Sequence, residues 1–175
     1  FMGLFDLWES AMITVAIMTV SVSLSVGLGV PLGVMASRNN MVQAILRPIL
    51  DTMQTMPSFC YLVPGIMFFG LGNVAAVLAV VLYAIPPCIR LTNLGIRQVD
   101  ASVIEAGRAF GSTRFQLLTK VQIPLAIPTI MAGINQTVLM ALAMSTIAAM
   151  VGAGGLGMDV LRFMGQLGEL SLYPI

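Results

Sequence analysis

The chain has 175 residues, of which 58% are hydrophobic and only 9% charged, and its mean hydropathy is +0.99. No soluble domain of this length needs so much apolar surface, so the composition points to an integral membrane protein, and a formal charge of +1 carries no information about partners. Histidine is absent, which excludes Ser-His catalysis, HExxH metal sites and imidazole proton relays together.

The first ten residues lack a basic region and carry Asp6 and Glu9, against a cleavable signal peptide. The chain opens on Phe1 rather than Met, so its natural beginning is expected to lie upstream. From Ser10 to Ser37 there are 28 uncharged residues, enough for a first transmembrane helix, since a span takes about 20. Ser21, Ser23, Ser25 and Gly27, with Gly29 and Gly33 in GxxxG spacing, read as a helix-packing face, or alternatively as a polar pathway lining. A short amphipathic piece follows, Met41 to Leu50, with Arg47 and Asp51.

Between Asp51 and Arg90 lie 38 uncharged residues, too many for one helix. Gly70-Leu71-Gly72-Asn73 signals a turn near the middle, predicting antiparallel spans over about 52–69 and 74–89. Pro57 and Pro64 interrupt the first and Pro86-Pro87 end the second. A broken helix at membrane depth is either a packing kink or a segment facing a pathway. Cys60 and Cys88 sit in these apolar runs without a CxxC and read as buried free thiols.

The stretch from Glu105 to Pro124, EAGRAFGSTRFQLLTKVQIP, is the most polar part of the chain. Asp100 or Ser102 can cap a helix there, with Glu105 near its positive end. Ala106, Ala109 and Phe110 fall on one face, Arg108 and Arg114 on others. Gly111 ends the helix or admits another backbone, and Pro124 and Pro128 bend the chain into the next run. By itself the stretch is either a solvated connector or a docking helix.

Val121 to Met158 is again 38 uncharged residues, leaving 129–151 as one clean span with Asn135, Gln136, Thr137, Ser145 and Thr146 as polar members. Gly152-Ala153-Gly154-Gly155-Leu156-Gly157 satisfies GxGxxG but follows a span rather than a strand, so it reads as a tight turn and not a dinucleotide site. There is no GxxxxGK[ST], so no P-loop. The tail, 158–175, is expected to end without a further span. With the polar loop placed inside, Arg38, Arg47, Arg90, Arg97, Arg108, Arg114 and Lys120 are inside and only Arg162 is outside. Seven against one predicts four spans with N-terminus and tail outside.

The order Glu-Ala-Gly, three residues, Gly111, nine residues, Val-Gln-Ile-Pro resembles the cytoplasmic EAA loop of permease subunits of binding-protein-dependent ABC importers, departing from it at Gly107, where Ala is usual, and conservatively at Val121 and Ile123. The likeness extends over LDTMQTMPSF (50–59), PPCIRLTNLGIRQV (86–99), PLAIPTIMAGINQT (124–137) and VGAGGLG (151–157), which together resemble permeases for glycine betaine and proline betaine within the osmoprotectant branch. VGAGGLG by itself is shared with permeases for methionine and other small solutes.

The resemblance implies an all-α, polytopic helical bundle of the MetI-like permease type, a single transmembrane domain over 1–175 with a docking loop at about 100–124. A final span usual in the family is missing, which implies a truncated core. Glu105, Ala106, Gly107, Ala109, Phe110, Gly111 and Pro124 would carry ATPase docking. Met53, Met56, Pro57, Asn135, Met140 and Ser145 are the candidate translocation path. The implied partners are an ATPase dimer that binds ATP and Mg, a second permease copy, an extracytoplasmic binding protein and the lipid bilayer, in a bacterial or archaeal inner membrane. No enzymatic activity, cofactor, metal or nucleic acid is expected of this chain. A passive channel, a structural subunit, or a permease for choline, carnitine, trimethylamine N-oxide or an amino acid are the alternatives.

Overall fold

The computed structural model describes residues 2–171, and side chains over 7–150 and 152–166; the end of the expected tail, 172–175, and the side chain of Val151 lie outside the described residues. Among the described residues every regular element is helical. In order these are α1 (Met2–Arg38), α2 (Asn40–Thr55), a 3-10 turn (Ser58–Tyr61), α3 (Leu62–Phe69), α4 (Asn73–Arg97), α5 (Ala101–Ala109), α6 (Arg114–Leu117), a π turn (Leu118–Gln122), α7 (Ile123–Ala148), a 3-10 turn (Ala149–Val151) and α8 (Leu156–Ser171).

Among the described residues three stretches are long and apolar enough to cross a membrane: Leu7–Arg38, Asn73–Arg97 and Arg114–Ala148. The fourth expected span is not one of them. Thr52–Thr55 belong to α2, the helix breaks at Met56-Pro57, and the apolar helix Ser58–Phe69 that follows is short. Twelve residues rise only about 18 Å, against a hydrocarbon core of about 30 Å. Pro57 stops α2 because its ring disfavours helical geometry in the residue before it.

Two other proline assignments are corrected. Pro86 and Pro87 do not end a span; α4 runs through both to Arg97. Each removes one backbone bond and adds one clash, and neighbouring protein can offset the loss because Pro86 and Pro87 are buried. Pro124 and Pro128 likewise lie inside α7, which with α6 and the π turn begins at Arg114 rather than near 129. The π turn widens the helix just before Pro124, easing the clash of its ring with the preceding turn. The 158–175 tail folds as α8 as far as Ser171, where Asp159 and Arg162 pair at 3.7 Å.

The contacts gather in two compact units, each built from parts of α1, α4 and α7. One takes the chain up to Leu24, Met56–Ala84 and the chain from Val138 on. Its small residues Ala75, Ala76 and Ala79 are buried beside Val80, and a side chain on Gly65 would sit 2.7 Å from the carbonyl oxygen of Ala75, so α3 and α4 approach backbone to backbone. Tyr61 meets Tyr83 edge to face at 5.5 Å. The glycine turn forms as expected and is pinned from two sides. The Gly154 N–H donates to Asn73 Oδ1 at 3.0 Å and the Leu156 N–H to Thr14 Oγ1 at 3.0 Å.

The other unit comprises Ser25–Thr55 and Ile85–Thr137. The GxxxG pair is a packing face: Gly29 lies against Cys88 and Gly33 against Thr92 and the Ile89 carbonyl. Ile96, Leu118, Ala126 and Ile130 form its core, flanked by Val30, Val34, Ile123 and Ile134. Arg90 pairs with Asp51 at 2.6 Å. Arg97 donates to the Ala36 carbonyl at 2.9 Å and to Asn40 Oδ1 at 2.8 Å, tying the end of α4 to the end of α1. Seven of the eight basic residues belong to this unit and Arg162 alone to the other.

Candidate functional site

The polar segment from Asp100 to Gln122 is built by strong local signals. Asp100 is the N-cap of α5, its carboxylate accepting the Ser102 N–H at 2.9 Å. That bond and one from the Ser102 side chain hold the Asp100 carboxyl below the ordinary carboxylate value of 3.8. Gly111, at φ 79°, closes the other end. Its N–H bonds the Arg108 carbonyl at 2.9 Å and the Ser112 N–H bonds the Gly107 carbonyl at 3.1 Å, the paired pattern of a Schellman cap. Thr113 and Gln116 then form a reciprocal capping box that starts α6. The capping box is legible in the sequence as Thr113-x-x-Gln116, a signal the sequence reading passed over.

These caps fix what α5 presents. Glu105, Ala106, Ala109, Phe110 and Gly111 are exposed, Phe110 to 90% of its surface. Glu105 makes no ion pair with any described residue. Gly107 faces the other way: a Cβ there would sit 2.7 Å from Leu117 Cδ1, so α5 rests on α6 at this point. Gly107 therefore supports the segment from behind, while Pro124, exposed in the first turn of α7, lies past the π turn. Phe115, also exposed, extends the apolar surface of the loop and was missed because it falls outside the motif.

The candidate path residues are spread over several elements. Met53 is half-buried on α2, Met56 and Pro57 are exposed at the break after it, Asn135 is exposed on α7, and Met140 and Ser145 are half-buried further along that helix. Met53 and Asn135 belong to one compact unit and the other four to the second. Ser145 Oγ donates to the Leu142 carbonyl at 2.8 Å, which satisfies it within its own helix. Among the described residues no cluster of three His, Cys, Asp or Glu could hold a metal.

The chain is 50% identical over 165 residues to the glycine betaine/proline betaine transport system permease protein ProW of Escherichia coli (strain K12), covering 94% of this chain and 47% of that protein. It is 54% identical over 160 residues to the glycine betaine transport system permease protein OpuAB of Bacillus subtilis (strain 168), covering 91% of this chain and 57% of that one. The chain thus spans about half the length of the curated relatives it matches. Among solved structures, the MetNI methionine ABC transporter in an inward facing conformation superposes with a TM-score of 0.81 at 25% identity, covering 97% of this chain and 83% of that one. Residues 29–166 match the model of the binding-protein-dependent transport system inner membrane component, and with α-helices alone, membrane-length spans and a capped polar loop between two of them, the chain belongs to that family of multi-pass permeases.

Proposed function

We propose that this chain is the membrane-spanning subunit of an ATP-driven importer for a small quaternary-ammonium solute such as glycine betaine, coupled through α5 to a separate ATPase. The observation that carries the proposal is α5 itself: a short helix capped at both ends that offers an unpaired acid, small residues and Phe110 to solvent. A solvated connector has no need of a phenylalanine exposed to that degree; a docking helix does. The identity of about one half to two betaine permeases supports the solute class.

The coupling follows from the connections of α5. It is joined by three residues to α4, and it rests through Gly107 on Leu117, at the start of the helix that becomes α7. A displacement of α5 by closure of an ATPase dimer around ATP and Mg reaches α4 through the chain and α7 through that contact. The π turn between them lacks regular α-helical bonding and is a natural place for the helix to shift. A second permease copy completes the path, and an extracytoplasmic binding protein delivers the solute. The path is proposed to run past Met53, Met56, Pro57, Asn135, Met140 and Ser145.

The test is to co-purify the full chain with its ATPase and measure complex yield, betaine-stimulated ATP hydrolysis and uptake of labelled betaine, with choline, carnitine and trimethylamine N-oxide as competitors. Glu105→Lys is expected to lower yield or stimulation by about tenfold, the worth of a charge-assisted hydrogen bond in a dry contact, and Gly111→Asp, which sets a new charged side chain into the same face, by more, with insertion unchanged. Wild-type yield and stimulation in both variants would return the loop to a connector and move the passive-channel reading ahead.

A further inference from the structure

Behind α5 lies a cavity of about 550 Å³ lined by the ends of α1 and α4, by α5, by α6 and by the π turn. Arg38, Arg97, Arg108 and Arg114 all line it, and no Asp or Glu does. Arg97 is already engaged with Ala36 and Asn40. The side chains of Arg38, Arg108 and Arg114 form no hydrogen bond or ion pair with any described residue. All three are exposed, so water screens their mutual repulsion, and an anion that enters among them meets three uncommitted guanidinium donors.

Ordinary placement explains some of these charges. Arg38, Arg97 and Arg108 each occupy the last turn of a helix, where the negative end of the dipole favours a cation. Arg114 does not fit: it is the first residue of the helix that runs to Ala148, at the positive end, where a cation is disfavoured. A negative ligand between Arg108 and Arg114 would offset that cost. The rest of the wall is Ile96, Ile104, Leu117 and Leu118, with Ser37 and Gln122 as its uncharged polar members.

We infer that this cavity binds a phosphate-bearing anion, held by Arg38, Arg108 and Arg114, with its organic portion against the apolar wall. Phosphate suits the site better than a carboxylate, since its several acceptor oxygens match forked guanidinium donors from three directions. The depression is open to solvent on one side and, at about 550 Å³, wide enough to admit a small ligand. The phosphate could arrive on a lipid headgroup or on a soluble molecule. Because α5 and α6 supply two of the arginines, an occupant would brace α5 against the helix ends behind it. The inference does not depend on the importer reading, since binding is measured on the permease alone.

The experiment uses the full chain without ATPase. One arm places it in nanodiscs of phosphatidylcholine and titrates pyrophosphate by calorimetry; the other extracts it from mixed phosphatidylglycerol and phosphatidylcholine bilayers and counts retained lipids by native mass spectrometry. Saturable pyrophosphate binding identifies a soluble ligand, and selective retention of phosphatidylglycerol identifies a lipid; either supports the site. Arg108→Gln with Arg114→Gln should weaken that signal by tenfold or more, while Arg108→Lys with Arg114→Lys weakens it less. Arg162→Gln, whose arginine pairs with Asp159 elsewhere, should leave it unchanged. The inference is overturned if neither probe binds the wild type, as expected were these arginines reserved for an acidic segment of a partner protein. Equal losses in the Arg162→Gln and Arg108→Gln/Arg114→Gln variants overturn it too.

Discussion

Gly111 combines a φ of 79° with open space, since nothing lies within 4 Å of where a Cβ would be. Its requirement for glycine is therefore conformational and not steric within this chain. A β-branched residue there costs about 1–2 kcal/mol, whereas Asn and Asp tolerate the left-handed region. Gly111→Val is expected to speed amide exchange at the end of α5 by about tenfold and Gly111→Asn to change it little, read by hydrogen-exchange mass spectrometry. Gly111→Asp should then fold and act on docking through its charge. Asp100 supplies a pH signature for the other end of α5. Its folded pKa lies below the ordinary 3.8, so the stability it adds is present above that value and is lost as pH falls through the folded pKa. Exchange of the α5 amides should accelerate below about pH 3.8 beyond the intrinsic trend. Asp100→Asn should lose that acceleration, because its side-chain oxygen caps without titrating.

At the scale of elements, small residues decide how closely the long helices meet. A Cβ on Gly33 would stand 2.6 Å from Thr92 Cβ and 2.8 Å from the Ile89 carbonyl oxygen, and backbone cannot move aside as a flexible side chain can. Gly33→Val is expected to destabilise the chain by about 1–3 kcal/mol, the usual cost of overpacking, measured as a fall in thermal midpoint in detergent. Gly27→Val is the control, since that position has nothing within 4 Å. The contrast matters because both glycines share one helix, and composition alone cannot say which of them another helix touches. The turn after α7 is held differently, by Asn73 and Thr14 accepting backbone N–H bonds from residues distant in sequence.

For the whole molecule the testable feature is charge asymmetry. All the basic residues but Arg162 fall in the unit that contains α5, as a single cytoplasmic side would require. The placement of side chains selects the reporter sites. Asn73 holds Gly154, and a side chain on Gly155 would fall on Thr14, so cysteines there would disturb what they report. Leu71, 72% exposed, and Leu156 are the better outside sites and Phe110 the inside one, an arrangement in which the short broken segment Ser58–Phe69 must carry the chain back across. In a Cys60→Ala, Cys88→Ala background, an impermeant maleimide added to intact cells should label Leu71→Cys and Leu156→Cys but not Phe110→Cys. Labelling of Phe110→Cys from outside would invert the orientation.

The capped polar segment was legible because its signals are local. Asp100 caps the N–H two residues on, Gly111 closes the helix just past its last residue, Ala109, and charges cannot sit in lipid, so a short window determined both the helix and its exposure. The turns at Gly70–Asn73 and Gly152–Gly157 were readable for the same reason. The prolines were not. Pro57 ends a helix while Pro86, Pro87 and Pro128 lie inside one, and burial does not separate them, since Pro57 and Pro128 are both exposed. Neither could the sequence tell that Gly107 faces Leu117 rather than the exposed side, or that Arg38, Arg108 and Arg114, separated by up to 76 positions, line one cavity. Hydropathy and capping act within a few residues of the chain, and so the sequence by itself determined the membrane class, the long apolar helices and the capped polar loop. Convergence of distant side chains is a property of helix packing, and only the tertiary structure decided it.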